Sequence, residues 1–156
     1  MTEQESVWDY PRPPALQEVS ELVRIELDDL EIASSRRSLR VLETSHPPTI
    51  YVPPQDILPG VLMENEHRSF CEWKGTARYY DVVTSGKRIG KAAWYYPKPS
   101  DRYARLANFV AFYPGLMTAC YLGDERVQAQ AGDFYGGWIT SKIKGPFKGG
   151  SGTRGW

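Results

Sequence analysis

The chain is poor in the residues that build metal and disulfide frameworks: its 156 residues include two cysteines and two histidines. Cys71 and Cys120 allow one disulfide at most, and neither belongs to a Cys-x-x-Cys pair of the kind that holds structural zinc. No metal and no cofactor are therefore expected. There is no excess of either charge, 19 Lys and Arg standing against 19 Asp and Glu. Without a basic surplus to release counterions, nucleic-acid binding is disfavoured. Apolar runs such as residues 109–113 fall far short of the roughly 18 residues that suggest a membrane span, so no membrane insertion is expected. The opening Met-Thr-Glu-Gln-Glu-Ser lacks the basic and apolar regions of a secretory signal. With so few cysteines, a cytoplasmic location is expected.

What is abundant points to β structure. Aromatic residues make up 13% of the chain, with five Trp and ten Tyr, beside 14 Gly and 12 Pro. That mixture suits short strands and tight turns. A length of 156 residues suffices for one domain with a sizeable core. The expected class is all-β, mainly antiparallel, with one short α-helix.

Three regions follow from the pattern. Residues 1–20 read as an acidic arm broken by Pro11, Pro13 and Pro14, whose Trp8 and Tyr10 need a surface to lie on. Residues 21–131 read as the domain. Val23, Ile25 and Leu27 alternate with polar residues, Asp28-Asp29 reads as a turn, and residues 30–34 return as a hairpin arm. Residues 39–42 read as a further strand, with a helical turn over residues 38–43 as the alternative. The prolines after it leave room for a short strand over residues 49–52, followed by loop. Residues 75–83 and 88–96 form a long hairpin in this reading. Ser100 is placed as the N-cap of a short helix over residues 101–108, and residues 109–113, 117–122 and 126–130 read as three more strands. Residues 132–156 hold eight of the 14 glycines together with Phe134, Tyr135, Trp138, Phe147 and Trp156. A flexible linker would lack those rings, so this segment reads as an irregular strap.

Three clusters could carry chemistry. In Glu43-Thr44-Ser45-His46-Pro47-Pro48 a carboxylate beside an imidazole could act as an acid/base pair, or His46 could simply cap a Pro-rich turn. In Cys71-Glu72-Trp73-Lys74-Gly75 the lysine could lower the thiol pKa, or Cys71 could be an inert core residue. If Cys71 attacked a substrate, His46 would be its base, because His67 lies on what reads as a polar loop. In Trp94-Tyr95-Tyr96-Pro97-Lys98-Pro99, strand alternation puts Trp94 and Tyr96 on one face, as core or as a pocket wall. The Gly145–Ser151 segment, with Lys148, could form a backbone nest for phosphate, but it fails the Walker pattern.

These clusters, in this order and followed by Val110-Ala111-Phe112-Tyr113-Pro114, resemble the family known as domain of unknown function 427. The resemblance covers residues 23–114, and the Gly/aromatic strap is similar to an extension found in part of that family. Members usually read Cys-Pro-Tyr-Lys-Gly where this chain has Glu72 and Trp73, Thr-Gly-His where it has Ser45, and Trp-Ser-Tyr where it has Tyr95. The resemblance implies a β-tent-like fold, small antiparallel sheets with a cleft between them. The family also carries a nucleotidyltransferase-like label, although this chain has no Gly-Ser followed by an Asp-x-Asp metal pair. The leading expectation is a cleft for a small polar, nucleotide-like molecule. Glu43, His46, Cys71 and Lys74 would be its chemical groups, and Tyr51, Arg78, Trp94, Tyr96 and Tyr113 its binding residues. The rival expectation is a non-catalytic interaction or assembly protein, a homodimer or a partner-binding factor, that docks through residues 132–156 and the aromatic arm.

Overall fold

The computed structural model describes residues 4–131 and 136–148. Strands β1 (Glu5–Ser6), β2 (Ala15–Glu18), β3 (Val23–Leu27), β4 (Leu30–Ser35), β5 (Leu39–Leu42) and β6 (Thr49–Tyr51) come first. A long meander follows, made of β7 (Leu62–Cys71), β8 (Gly75–Thr84), β9 (Lys87–Tyr95) and β10 (Val110–Phe112). The chain continues through β11 (Ala119–Leu122), β12 (Glu125–Arg126), β13 (Gln128–Ala129), β14 (Trp138–Ile139) and β15 (Ile143–Lys144). The meander forms one antiparallel sheet in the order β10-β9-β8-β7. A second sheet runs β12-β11-β3-β4 and a third β2-β5-β6. The fold is all-β and mainly antiparallel, as composition implied.

Alternation along the meander feeds two cores. Val82, Ala93, Tyr95 and Phe112 pack with Val23, Ile25 and Ile32 of the second sheet. Their neighbours Ala77, Tyr79, Trp94 and Ala111 point the other way and pack with Leu39, Val41 and Tyr51 of the third. Because side chains on a strand alternate between faces, β8 to β10 can serve both layers with one sequence. The third sheet is tied to the meander through the paired backbones of Val52 and Val110. The arm and the described part of the strap hold each other. β1 pairs with β15 in parallel, Trp8 Nε1 donates to the Pro146 carbonyl at 2.8 Å, and Val7 and Tyr10 are buried against Leu42 and Ile143. Trp138 is buried in the first core, and its amide donates to the Pro48 carbonyl at 2.8 Å. Phe134, Tyr135, Trp156 and the end of the expected phosphate nest lie outside the described residues.

Two expectations are corrected. The segment after Ser100 is a 3-10 helix, Asp101–Leu106, and not an α-helix. Its two buried anchors, Tyr103 and Leu106, are three residues apart, which matches the 3-10 period, and the Tyr103 hydroxyl is fixed to the Pro14 carbonyl at 2.7 Å. Ser100 occupies the N-cap position, and its carbonyl accepts from the Tyr103 amide at 2.8 Å, but its side chain makes no cap hydrogen bond; its Oγ donates instead to the Trp73 carbonyl at 2.7 Å. The stretch read as a polar loop around His67 is β7, a ten-residue strand. β7 is an edge strand, so most of its side chains face water and its sequence shows no buried alternation. Its pairing with β8 is broken by an irregularity between Asn65 and Arg68, where Arg68 Nη1 covers the Glu66 carbonyl at 2.8 Å. Such a bulge, capped by a charge, blunts the free edge against another chain.

Asp81 fastens the meander where its registers shift. Its carboxylate accepts from the Lys91 amide at 2.9 Å, from Asn65 Nδ2 at 2.7 Å and from Arg88 Nε at 2.7 Å, joining β7, β8 and β9. Those donors, the Lys91 amide first, hold its pKa below the usual carboxylate value. A depressed carboxylate pKa adds stability that is present above about pH 4 and is lost as pH falls through the folded value. Asp81→Asn is expected to cost about 1–3 kcal/mol in urea unfolding at pH 7. It should also flatten the decline in stability below pH 4 relative to the wild type; an unchanged midpoint and an unchanged pH slope would contradict this role.

Candidate functional site

The turn between β7 and β8 is the starting point. Glu72, Trp73 and Lys74 form a three-residue hairpin loop, and Gly75 closes it with φ of +106°, a conformation an L side chain rarely adopts. Ser100 pins this loop from outside, its amide donating to the Lys74 carbonyl at 3.2 Å and its hydroxyl to Trp73. The loop thereby aims Lys74 inward, where the residue is only 7% exposed. The Lys74 ammonium sits 5.7 Å from the centre of the Tyr96 ring. Among the described residues no carboxylate lies within ion-pair distance of it. Burial opposes its charge, but interactions with Tyr51, with Cys71, to which it is also hydrogen-bonded, and with the Glu43 carboxylate outweigh burial and hold its pKa above the usual lysine value. Lys74 is a cation at neutral pH.

A cavity of about 300 Å³ opens beside Lys74. Glu43, His46 and Cys71 line it with Lys74, and Tyr51, Trp94, Tyr96 and Tyr113 supply rings to its wall. Three segments far apart in sequence thus meet around one space. Trp94 and Tyr113 lie with ring centres 4.5 Å apart and tilted by 45°. Trp94 Nε1 donates to the Tyr51 hydroxyl at 3.4 Å, deep in the pocket. Burial pushes the phenols of Tyr51, Tyr96 and Tyr113 up, so they are neutral hydroxyls at physiological pH. Arg78 does not join them. Its neighbours Ala77 and Tyr79 point into the second core, so alternation turns Arg78 to the opposite face, where Nη2 is 3.8 Å from Glu64 Oε2.

His46 sits in a turn held from both ends of the chain. Ser45 adopts φ of +70°; its amide donates to the Val7 carbonyl at 3.0 Å, and its carbonyl accepts from the Lys148 amide at 2.7 Å. His46 Nδ1 is 3.0 Å from the Thr44 carbonyl. A carbonyl only accepts, so Nδ1 carries the proton of the neutral ring and Nε2 is the basic nitrogen. Burial, joined by the cations Lys148 and Arg12, lowers the His46 pKa against the pull of the Thr44 carbonyl and Glu43, so the ring is neutral at pH 7. Glu43 Oε2 is 4.0 Å from His46 Nδ1 and 3.4 Å from Arg12 Nε. Arg12, from the arm, therefore already compensates the Glu43 carboxylate.

The family model described as Domain of unknown function (DUF427) matches residues 15–123. The chain belongs to this family. No curated protein matches it. The DUF427 region supplies Lys74, His46, Cys71 and the rings, whereas Arg12 comes from the arm, Gln130 from the chain just after the family match and Gly136 from the strap. Gln130 and Gly136 line the same pocket and carried no signal as single residues in the sequence. Gln130 accepts the Gly137 amide at 3.1 Å and donates to the Lys148 carbonyl at 2.6 Å, which ties the strap across the DUF427 pocket. Tyr79 was legible in principle, because β8 pairs it directly with Trp94. Among the described residues no group of three or more His, Cys, Asp or Glu is arranged to hold a metal ion, and both cysteines are free thiols.

The backbone of Gly136 lies so close to the Trp94 indole that a Cβ there would overlap the ring. At Gly115 an added Cβ would meet only Ala129 Cβ, at an ordinary 3.4 Å. Gly136→Ala should therefore lower the melting temperature and shift Trp fluorescence, with a cost of about 1–3 kcal/mol for overpacking. Gly115→Ala should change both little; equal effects would show that the strap does not rest on Trp94.

Proposed function

We propose that this protein binds a small polar molecule bearing an anionic group, with Lys74 holding the anion and the aromatic wall holding the rest. The observation that carries this reading is a buried ammonium that faces a ring-lined pocket and has no carboxylate within ion-pair distance among the described residues. Taking a charge out of water costs several kcal/mol, and a cation–π contact returns only about 0.5–2 kcal/mol. Cys71, Glu43 and Tyr96 keep the charge in place, and an anionic ligand would add the direct ion pair that none of them supplies among the described residues. His46, neutral and basic at Nε2, and Glu43 form the acid/base pair if the bound molecule is turned over. A protonated Lys74 is an electrostatic group and a poor nucleophile. The nucleotidyltransferase-like label of the family brings nucleotides into the set of ligands to try. Free thiols at Cys71 and Cys120 fit a reducing, cytoplasmic setting. Among the described residues no helix is long and apolar enough to cross a membrane.

The rival reading, a docking or assembly protein, relies on the strap. Residues 136–148 are spent on the protein's own β13, β1 and Trp94, which favours the pocket reading.

Lys74→Met keeps the length and apolar contacts of the side chain while removing its charge. Free of ligand, the variant is expected to be as stable as the wild type or more so. In a thermal-shift screen against nucleotides, sugar phosphates and small organic acids, a hit at a hundred times its Kd should stabilise the wild type by about 2.7 kcal/mol and leave Lys74→Met unmoved. A variant destabilised by several kcal/mol without ligand would mean that Lys74 is a structural ion already compensated by the protein.

A further inference from the structure

We infer that the ligand of this pocket is a planar monoanion, an aromatic or heteroaromatic carboxylate, and not a molecule carrying a phosphate chain; this rests on the small-anion reading above. Charge sets the first limit. Among the described residues lining the pocket, Lys74 is the only Lys or Arg, and His46 is neutral at pH 7. Glu43 and Glu72 line the same space, so among the described residues the wall supplies one cation and no surplus of positive charge. Arg12 compensates Glu43 and does not line the pocket. One ammonium balances one carboxylate. A nucleoside di- or triphosphate would bring several negative charges to a site where the described residues offer one cation and the Glu72 carboxylate stands nearby, so its added charges would go unbalanced.

Size and wall chemistry set the second limit. At about 300 Å³ the cavity is at the small end of ligand pockets and has room for a substituted ring between Lys74 and the aromatic wall. The Tyr96 ring stands 5.7 Å from the Lys74 ammonium. Trp94 and Tyr113 continue the aromatic wall with their ring centres 4.5 Å apart. A flat ring with its carboxylate on Lys74 would lie along these faces in offset or edge contacts. An aliphatic acid would satisfy the cation and leave the wall unused.

Isothermal titration of the full chain tests this with benzoate and nicotinate as planar monoanions. Acetate supplies the charge without a ring, nicotinamide the ring without the charge, and AMP and ATP the nucleotide alternative. Lys74→Met and Tyr113→Leu, each checked for fold by circular dichroism, complete the set. Benzoate or nicotinate should bind at least tenfold more tightly than acetate, nicotinamide, AMP or ATP. Lys74→Met should weaken that binding at least tenfold, and Tyr113→Leu should weaken the ring acids while leaving acetate unchanged. Tighter, Lys74-dependent binding of AMP or ATP would overturn the planar-monoanion assignment and leave the small-anion reading standing. Binding no tighter for the ring acids than for acetate would overturn it as well. If none of these anions binds in a Lys74-dependent way, both readings fall.

Discussion

Every second residue of β8, β9 and β10 must find partners on a different side of the meander, because both faces of that sheet are covered. One cover is the β3–β4–β11 sheet, which is continuous and takes Val82, Ala93 and Phe112 into a closed core. The other is the short β2–β5–β6 sheet, which meets Ala77, Trp94 and Ala111. β6 is only three residues long, and the pocket lies where that cover gives way to the turns around His46 and Lys74. A core built of rings continues there into a cavity lined by rings.

Electrostatics then distinguishes the pocket from a packing defect. A void left by a short strand would be expected to be apolar and dry. Here the hairpin between β7 and β8 folds an ammonium into it, with the Gly75 turn and the Ser100 contacts fixing the approach. The same turn brings in the Cys71 thiol, and the opposite turn brings in a neutral imidazole. The floor and the cation belong to the DUF427 region, while the arm compensates Glu43 through Arg12 and the strap lays Gly136 on Trp94. The flanking segments thus finish a pocket that the family region begins.

Much of the fold was legible because half-buried strands announce themselves. Val23, Ile25 and Leu27 alternate, as do the residues of β8 and β9, and the structure pairs them as hairpins. β7 was illegible for the opposite reason: an edge strand with most of its side chains in water has no period to show. The 3-10 helix was misread because Tyr103 and Leu106 fit either helical spacing; in the structure Tyr103, bonded to Pro14, lies off helical geometry. At the site, the polar clusters stood out as residues that a small β domain has little reason to place in turns. Arg78 was misjudged because the phase of β8 relative to the pocket depends on which core Ala77 and Tyr79 enter. The roles of Gln130, Gly136 and Arg12 are long-range contacts that no local pattern encodes. That Lys74 has no carboxylate within ion-pair distance among the described residues is a three-dimensional fact that no local pattern shows.

The claim on which the rest turns is that the charge of Lys74 awaits an anion from solution. A crystal of the full chain soaked in sodium bromide tests it directly, since bromide is located by anomalous scattering without assuming a ligand. A bromide peak in contact with Lys74 Nζ, inside the ring-lined pocket and absent in Lys74→Met crystals, is the predicted result. A pocket without bromide, with a protein carboxylate within 4 Å of Nζ, would contradict it.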